Sequence, residues 1–452
     1  MIAIIGGGIS GLAAAYELAT RHVPFTLFES SDRVGGLVRT ERVEGFTVEA
    51  GADSMLVQKR AGLELCDELG LTPRLISMKH PRTAFVLHHG QLHPLPSRSI
   101  FGIPARWTDL ARYSLLPVAA RARLAIEPLI GLPRDGADES VAAFFRRRLG
   151  PSTVDVLAQP LLGGIHAGDV ESLSLRALFP RLAAAEQSGR KVLRWVRHSA
   201  RARPVGGAFT SLSSGMGELV EAIVRRLPDD AVRCGSGIVA LARRADAWEV
   251  VTRDGRLGFK AVILACPANI AGDLLATIDE VASALCAQVR YVSTVSIGLG
   301  WPRNAVAHPL NGSGFVVARA SNGVRITACT WVSSKWEGRA PADHVLLRAY
   351  LGGAHDPLAV DLPDEQLLDI TVRELSAILS ISGAPRVARV FRWRDAGAQH
   401  EVGHLARMNT LEQRLAQHIG LLVTGSGFRS IGIPDCIADG RAIAGAASRL
   451  VA

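Results

Sequence analysis

The sequence predicts an α/β protein, α+β overall, assembled from two or three parts. Three observations predict it. The chain has 452 residues, more than one hydrophobic core usually supports. A short apolar strand runs straight into a glycine-rich turn and a helix near the N-terminus. Further on, β-rich runs alternate with turns and are interrupted by a long basic stretch that reads as helices. Hydrophobic residues make up 48% and charged residues 21%, the balance of a folded globular chain. Every apolar run is broken by charge, Gly or Pro before the roughly 18 to 20 residues that a bilayer span needs.

The first element is the strand Ile2-Ala3-Ile4-Ile5, followed by Gly6-Gly7-Gly8-Ile9-Ser10-Gly11-Leu12 and a good helix over residues 13–18. Gly6 permits a tight turn, Gly8 lets the backbone approach a pyrophosphate, and Gly11 lets helix and strand pack closely, with the helix's positive end toward the phosphates. This is a Rossmann-like dinucleotide pattern. The next strand, Phe25-Thr26-Leu27-Phe28, ends in Glu29, at the spacing where an acid accepts both hydroxyls of an adenosine ribose and disfavours a 2′-phosphate. NAD and FAD both fit to this point. The continuation over residues 32–40 brings a second glycine pair, Gly35-Gly36, with Arg33 and Arg39, and extra amides and guanidinium charge there suit an extended FAD. Residues 46–54 then form a small-residue turn that lets backbone approach the flavin end.

The far end supplies what a simple NAD domain lacks. Leu421-Leu422-Val423 read as a buried strand, residues 424–432 as a Gly/Ser loop, and Ile433-Pro434-Asp435 as the start of a helix running towards Leu450. Pro434 suits the first helical position. The dipole of that helix would stabilise negative charge on a reduced flavin ring.

Net charge is +9, and residues 98–203 carry most of it: sixteen arginines and one lysine against nine acids. A nucleic-acid surface, a solvated helical face, and a surface for anionic lipid or substrate compete for this stretch. Few aromatics interleave with the basic residues and no nucleic-acid motif is present, so nucleic acid is set aside. Leu, Val and Trp195 among the arginines at helical spacings make the stretch a candidate membrane-surface element. The six cysteines are scattered singly, without metal-ligand spacing, and read as reduced; no metal site is expected. With no leader-like segment at the N-terminus, the expected location is cytoplasmic, with peripheral placement on the inner face of the cell membrane.

Across essentially its whole length the sequence resembles bacterial protoporphyrinogen/coproporphyrinogen III oxidases, within the amine-oxidase-like flavoproteins. The group-level marks are residues 6–11, Glu29 and Arg33-x-Gly35-Gly36. The specific ones are Glu49-Ala50-Gly51-Ala52-Asp53-Ser54, Gly164-Ile165-His166-Ala167-Gly168-Asp169 with Leu173-Ser174-Leu175-Arg176, Arg339-Ala340-Pro341, Val402-Gly403-His404, and Gly432-Ile433-Pro434-Asp435-Cys436-Ile437.

The resemblance implies non-covalent FAD held by Gly6, Gly7, Gly8, Ile9, Ser10 and Gly11, by Glu29 and Ser30 at the ribose, and by Arg33, Gly36 and Leu37. It places Gly51, Ala52, Asp53 and Ser54 beside the flavin, Ile238 near the adenine, and Ser426, Ile431, Gly432 and Ile433 over the ring. On the substrate side it implies Leu162, Gly163, Gly164, His166 and Gly168, with Tyr350 facing the substrate; Arg98 and Arg176 join His166 as candidates for propionates. Two positions depart from the family: His166 stands where an aromatic is common, and Ala398-Gln399-His400 where Pro-Gln-Tyr is. His404 reads as a structural histidine bonded to a loop rather than a catalytic base.

The implied reaction is the six-electron oxidation of protoporphyrinogen IX or coproporphyrinogen III to the porphyrin, with dioxygen as acceptor and hydrogen peroxide released. The chemistry is flavin-centred and needs no protein nucleophile. Expected partners are the porphyrinogen, dioxygen, an anionic membrane surface, and ferrochelatase by hand-off or a second copy as a homodimer. The expected organisation is an FAD-binding domain from residues 1–75, 206–271 and 394–452, a mixed-sheet substrate-binding domain from 76–97 and 272–393, and a helical, basic insert over 98–205. A flavin amine oxidase or carotenoid desaturase, or a non-catalytic dinucleotide-binding protein, are the alternatives.

Overall fold

The structure is a computed structural model that describes residues 1–131, 137–201, 207–318 and 323–451. At its centre five short strands form a parallel sheet, in the order Val232–Arg233, Phe25–Phe28, Ile2–Ile5, Ala261–Leu264, Leu421–Val423. The three central strands are buried along their whole length and, Thr26 apart, apolar, as a parallel sheet covered on both faces requires. Side chains alternate across it. Ile2 and Ile4 face the helices Ile9–Thr20, Gly217–Val224 and Ile433–Val451. Ala3 and Ile5 face Trp248 of a three-stranded antiparallel sheet and the helices Ala268–Leu275, Glu280–Ala287 and His404–Leu415.

A seven-stranded mixed sheet forms the second layer, in the order Val387–Ala398, Tyr291–Pro302, His344–Gly352, Ala328–Trp331, Gly314–Val317, Ala84–His88, Gln91–Pro94. All its pairings are antiparallel except that of Gly314–Val317 with Ala84–His88. One face packs on the helix Asp364–Leu379 around Trp301 and Trp331. The other receives the strand Phe46–Glu49. At that crossing a Cβ on Gly298 would lie 2.4 Å from Val48, and one on Gly300 would lie 2.7 Å from Phe46. Two strand glycines therefore let the hairpin over residues 40–49 press onto the mixed sheet.

The basic stretch folds mainly as short helices around its own apolar core, with Phe144, Phe145, Leu157, Leu162 and Leu193 fully or almost fully buried. Part of its charge is internal rather than solvated. Arg148 and Glu127 are both fully buried and paired. Arg148 also donates to the carbonyls of Ile130 and Gly131, while the Glu127 carboxylate accepts the first amides of the helix Val192–Arg201, from Val192 and Leu193. Arg147 pairs with Glu139 and Glu186. Trp195 packs against this core; the exposed apolar residues of the insert are instead Trp107, Val118, Ile126, Leu129 and Ile165.

Of the expected domain boundaries, 271/272 falls inside the helix Ala268–Leu275 and 393/394 inside the strand Val387–Ala398. The one at 205/206 lies outside the described residues. Among the described residues no helix is long and apolar enough to cross a membrane, and no group of three His, Cys, Asp or Glu side chains could hold a metal.

Replacing one partner of a buried ion pair strands the other charge, at a cost of about 3–5 kcal/mol. Glu127→Ala is expected to destabilise the insert by that amount, read as a lowered urea midpoint in the circular dichroism of the helices; an unchanged midpoint contradicts the role given to the pair.

Candidate active site

The glycine turn is built by close approaches of backbone to backbone. Gly6 has φ +111°, and a Cβ there would sit 2.7 Å from the Ala265 carbonyl; one on Gly11 would sit 1.9 Å from the Gly6 carbonyl oxygen. Gly8 differs. It precedes the helix Ile9–Thr20 with no side-chain cap, and a Cβ there meets nothing within 4 Å. The first-turn amides of this helix thus face an open cradle that a side chain would fill. The second glycine pair closes its edge: Gly35 N–H donates to Gly7 O at 2.7 Å, and a Cβ on Gly36 would lie 3.2 Å from Gly8 Cα. Arg33 braces this turn by donating to the carbonyls of Val34 and Gly36, while Leu37 stays exposed.

Glu29 ties the next strand to the turn. One carboxylate oxygen accepts from Gly7 N–H at 2.7 Å, the other from the Ser31 amide and hydroxyl, each at 2.8 Å. Ser236 N–H donates to Glu29 O and Gly235 N–H to Ser31 O, which brings Ile238, two residues on, to the edge where Glu29 and Ser30 stand. Ser10 and Ile9 lie in the first helical turn.

Residues 49–54 cross a buried charge cluster. Although burial opposes ionisation, Lys335 at 3.0 Å and Arg348 at 3.4 Å hold the Asp53 carboxyl well below the usual carboxylate range. Asp53 also accepts from the Ser54 hydroxyl and, at 3.5 Å, from Trp336. Asp53, expected at the flavin, is therefore committed to protein cations. Arg348 donates to the carbonyls of Glu49 and Gly51, so it sets the path of the chain that leads to Ala52. Tyr350 lies two residues along the same strand and hence on the same face; its ring is 5.0 Å from the Arg348 guanidinium and its hydroxyl 3.4 Å from that of Thr330. Lys335 and Arg348 were missed in the sequence. Arg348 could have been found, because an arginine within the apolar run Leu346-Leu347-Arg348-Ala349 needs a partner.

On the side expected to face the substrate, residues Val154–Gly163 form a wide π-helical turn around Pro160, which has no N–H to donate. The chain then runs through Gly164–His166 to Ala167, a non-glycine residue at φ +50°. Two buried carboxamides shape this loop. Gln159 donates to Gly168 O and accepts from Val170 N–H; Gln399 donates to His166 O and Gly397 O. A Cβ on Gly163 would lie 2.6 Å from the Gln159 carboxamide, and one on Gly168 would lie 2.2 Å from that of Gln399. Ala354 N–H donates to Ala167 O, which bolts the loop to the end of the Tyr350 strand.

Leu162 is fully buried in the insert core and supports the loop from below, whereas Gly164 is exposed. The His166 ring meets Phe179 edge-on, and Phe179 meets Phe101. Burial, reinforced by His400 and Lys59, lowers His166 to about 4, so it is neutral at physiological pH. Arg98 stands exposed at the foot of the hairpin Ser99–Ile100/Ile103–Pro104, and Arg176 half-buried on the short helix Leu175–Leu178.

The last wall is the loop before the C-terminal helix. His400 donates from Nε2 to Ser426 O at 2.8 Å, and His404 from Nε2 to Phe428 O at 2.7 Å. The two rings stack with centroids 3.9 Å apart. Carbonyl acceptors fix both as Nε2–H tautomers, and burial pushes His404 down to about 3. His404 is thus a loop brace. The helix begins at Ile433, one residue before Pro434; Gly432 ahead of it, at φ +84°, faces open space beside Ile431, and Lys59 pairs with Asp435 in its first turn.

A glycine cradle over a parallel sheet, joined to a mixed-sheet lobe, defines the class of two-lobed, dinucleotide-dependent oxidoreductases. A family-wide sequence model for flavin containing amine oxidoreductases matches residues 9–447, and the chain belongs to that family. It is 34% identical to coproporphyrinogen III oxidase of Bacillus subtilis (strain 168), over 98% of this chain and 96% of that one. It is 29% identical to the chloroplastic protoporphyrinogen oxidase 1 of Spinacia oleracea, over 96% and 81%. The crystal structure of a candidate protoporphyrinogen oxidase from Exiguobacterium sp. 255-15 superposes with a TM-score of 0.89 at 31% identity, covering 100% of this chain and 98% of that one. Reduced UDP-galactopyranose mutase, at 17% identity and a TM-score of 0.74, shares the fold.

The residues present fit a flavin dinucleotide: the cradle at Gly8 is open, Glu29 stands at the next strand end, and Gly432 faces open space. Gly8→Val keeps an ordinary backbone conformation, φ −67°, but fills the cradle. The purified variant is expected to be folded by circular dichroism and colourless; a yellow Gly8→Val protein contradicts the placement.

Proposed function

We propose that this chain binds FAD non-covalently and oxidises coproporphyrinogen III to the porphyrin in haem biosynthesis, with dioxygen as acceptor and hydrogen peroxide as product. The observation that carries this reading is the likeness to coproporphyrinogen III oxidases over 98% of the chain, which takes in both walls of the site. Bound flavin supplies a two-electron acceptor, used three times per macrocycle. The chain's own residues bind and position. Residues 6–11, Glu29 with Ser30, Arg33, Gly36 and Leu37 hold the pyrophosphate and ribose. Residues 51–54, as shaped by Arg348 and Lys335, lie along the ring, Ile238 borders the adenine, and Ser426 with residues 431–433 closes over it.

Non-covalent attachment agrees with the thiols nearest the cradle. Burial pushes Cys436 up to about 11 and Cys266 up to about 12, so neither is a ready nucleophile. The histidines of the site are weak bases: His404 is tied and buried, and burial lowers His166 to about 4, so its imidazole holds a proton poorly. Pyrrole protons therefore leave to water. Gly163, Gly164, His166 and Gly168, over Leu162, border the macrocycle opposite Tyr350, with Arg98 and Arg176 for its propionates. The parts divide most naturally where elements end, so the helices Ala268–Leu275 and Glu280–Ala287 go with the parallel sheet and the strand Val387–Ala398 with the mixed sheet.

The insert favours a peripheral membrane location on the cytoplasmic face. Val118 and Leu129 are 72% and 83% exposed, and Arg197 lies 4.2 Å over the Trp107 ring, a mixture of apolar and cationic groups suited to anionic lipid. Hand-off to ferrochelatase, or pairing of two copies, belongs to the same reading.

Two measurements test these statements. Anaerobic mixing of the flavin-loaded protein with coproporphyrinogen III is expected to bleach the flavin faster than protoporphyrinogen IX does, with porphyrin fluorescence appearing on admission of air; a yellow protein that neither bleaches refutes the reaction. Co-sedimentation with anionic vesicles at low salt is expected, and loss of it in Val118→Asp/Leu129→Asp; a wild-type protein left in the supernatant rejects the membrane role.

A further inference from the structure

Residues 399–404 touch both walls of the site. Gln399 is fully buried at the end of the long mixed-sheet strand, where its Nε2 donates to His166 O on the substrate-side loop at 3.0 Å. The adjacent residue, His400, 2% exposed, donates to Ser426 O on the cofactor-side loop at 2.8 Å, and His404 stacks on it and donates to Phe428 O. The segment is anchored along its length: Gln399 N–H donates to Arg290 O, Ser174 N–H to His400 O, Val402 N–H to Ser172 O, and Gly403 N–H to the Asp138 carboxylate. The Gln399 Oε1 has no partner, and a Cβ on Gly168 would lie 2.2 Å from it, so carboxamide and loop are in mutual contact. Adjacent side chains thus grip opposite loops from one rigid piece of backbone, and a shift of either loop is transmitted to the other.

We propose that Gln399 and His400 are positioning residues that couple the substrate-side loop over residues 163–168 to the cofactor-side loop over 426–432, and so fix the width of the gap between them. The inference rests on the flavin and porphyrinogen reading. The test separates the two by using flavin affinity, which needs no substrate.

The experiment is a double-mutant cycle on the flavin dissociation constant, measured by titrating deflavinated protein with FAD for wild type, Gln399→Met, His400→Met and the double variant. Loss of one buried hydrogen bond corresponds to about tenfold. Gln399→Met, although the Gln399 side chain bonds the substrate-side loop and its own strand and makes no hydrogen bond to the cofactor-side loop, is expected to weaken FAD several-fold in the wild-type background and not at all in the His400→Met background. His400→Gln, whose carboxamide retains an N–H for Ser426 O, is expected to restore the sensitivity. Gly168→Ala presses on the Gln399 carboxamide from the loop side and gives a second route to the same cycle should Gln399→Met fail to fold. A strictly additive cycle, or an FAD affinity unmoved by both Gln399→Met and Gly168→Ala, overturns the coupling. With the coupling intact, Gln399→Met also raises the porphyrinogen KM with kcat less affected. A wild type that binds FAD but leaves porphyrinogen unoxidised counts against the reaction, while the cycle still decides the coupling.

Discussion

Everything in this molecule depends on how closely its first helix can approach its neighbours. A Cβ on Gly11 would stand 1.9 Å from the Gly6 carbonyl oxygen, and one on Gly440 would stand 2.3 Å from the Ser10 carbonyl oxygen. The helix Ile9–Thr20 is thereby pressed against its own turn on one side and against the helix Ile433–Val451 on the other. Because the last helix crosses at that point, its N-terminus and the Ser426 loop before it are brought to the mouth at which the glycine turn opens. Two helix starts then share one site, each with unsatisfied amides and a partial positive charge. Such an arrangement suits an anionic, two-ended ligand.

The second constraint is electrostatic. Three cations, Lys335, Arg339 and Arg348, and two acids, Glu49 and Asp53, are buried or nearly so where the hairpin over residues 40–49 meets the mixed sheet. Arg339 donates to the Ser211 hydroxyl and the Leu212 carbonyl, while Glu49 accepts from Thr40 and from the Met216 amide. Burial raises the Glu49 carboxyl, and its hydrogen bond from Thr40 and the charge of Arg339 oppose that. Such a cluster adds little net stability compared with apolar packing, but it admits few arrangements. Its effect is to give residues 49–54 one path past the site.

The parts legible in the sequence were those governed by local rules. The strand, glycine turn and helix over residues 2–18, the acid at Glu29, the buried strand Leu421–Val423 and the helix starting at Ile433 each follow from a short pattern whose physics is contained in a few residues. What escaped was non-local. Lys335 has no reason in its own neighbourhood to pair with Asp53, 282 residues away. Nothing in the local sequence marks Gln159 or Gln399 as a buried clamp, because the loop that they bracket reaches them only through the fold. Arg148 looked like one more basic residue of a solvated helix, yet it is the buried centre of the insert because Glu127 and two carbonyls surround it. Trp195 erred the same way: a helical period marks an apolar face without saying whether a core or a lipid covers it.

The central sheet also orders events in time. Its edge strand, Leu421–Val423, and the helix that packs on the first one are translated long after Ile2–Ile5, by an interval on the order of 20 to 80 s at ordinary elongation rates. During that interval the nascent chain carries a cradle with one wall missing and an apolar helix face without its partner. The insert and the mixed sheet have their own cores and are complete earlier. The parallel-sheet part is therefore completed last, once Leu421–Val423 and the helix Ile433–Val451 have been made and can close the cradle begun at Ile2–Ile5.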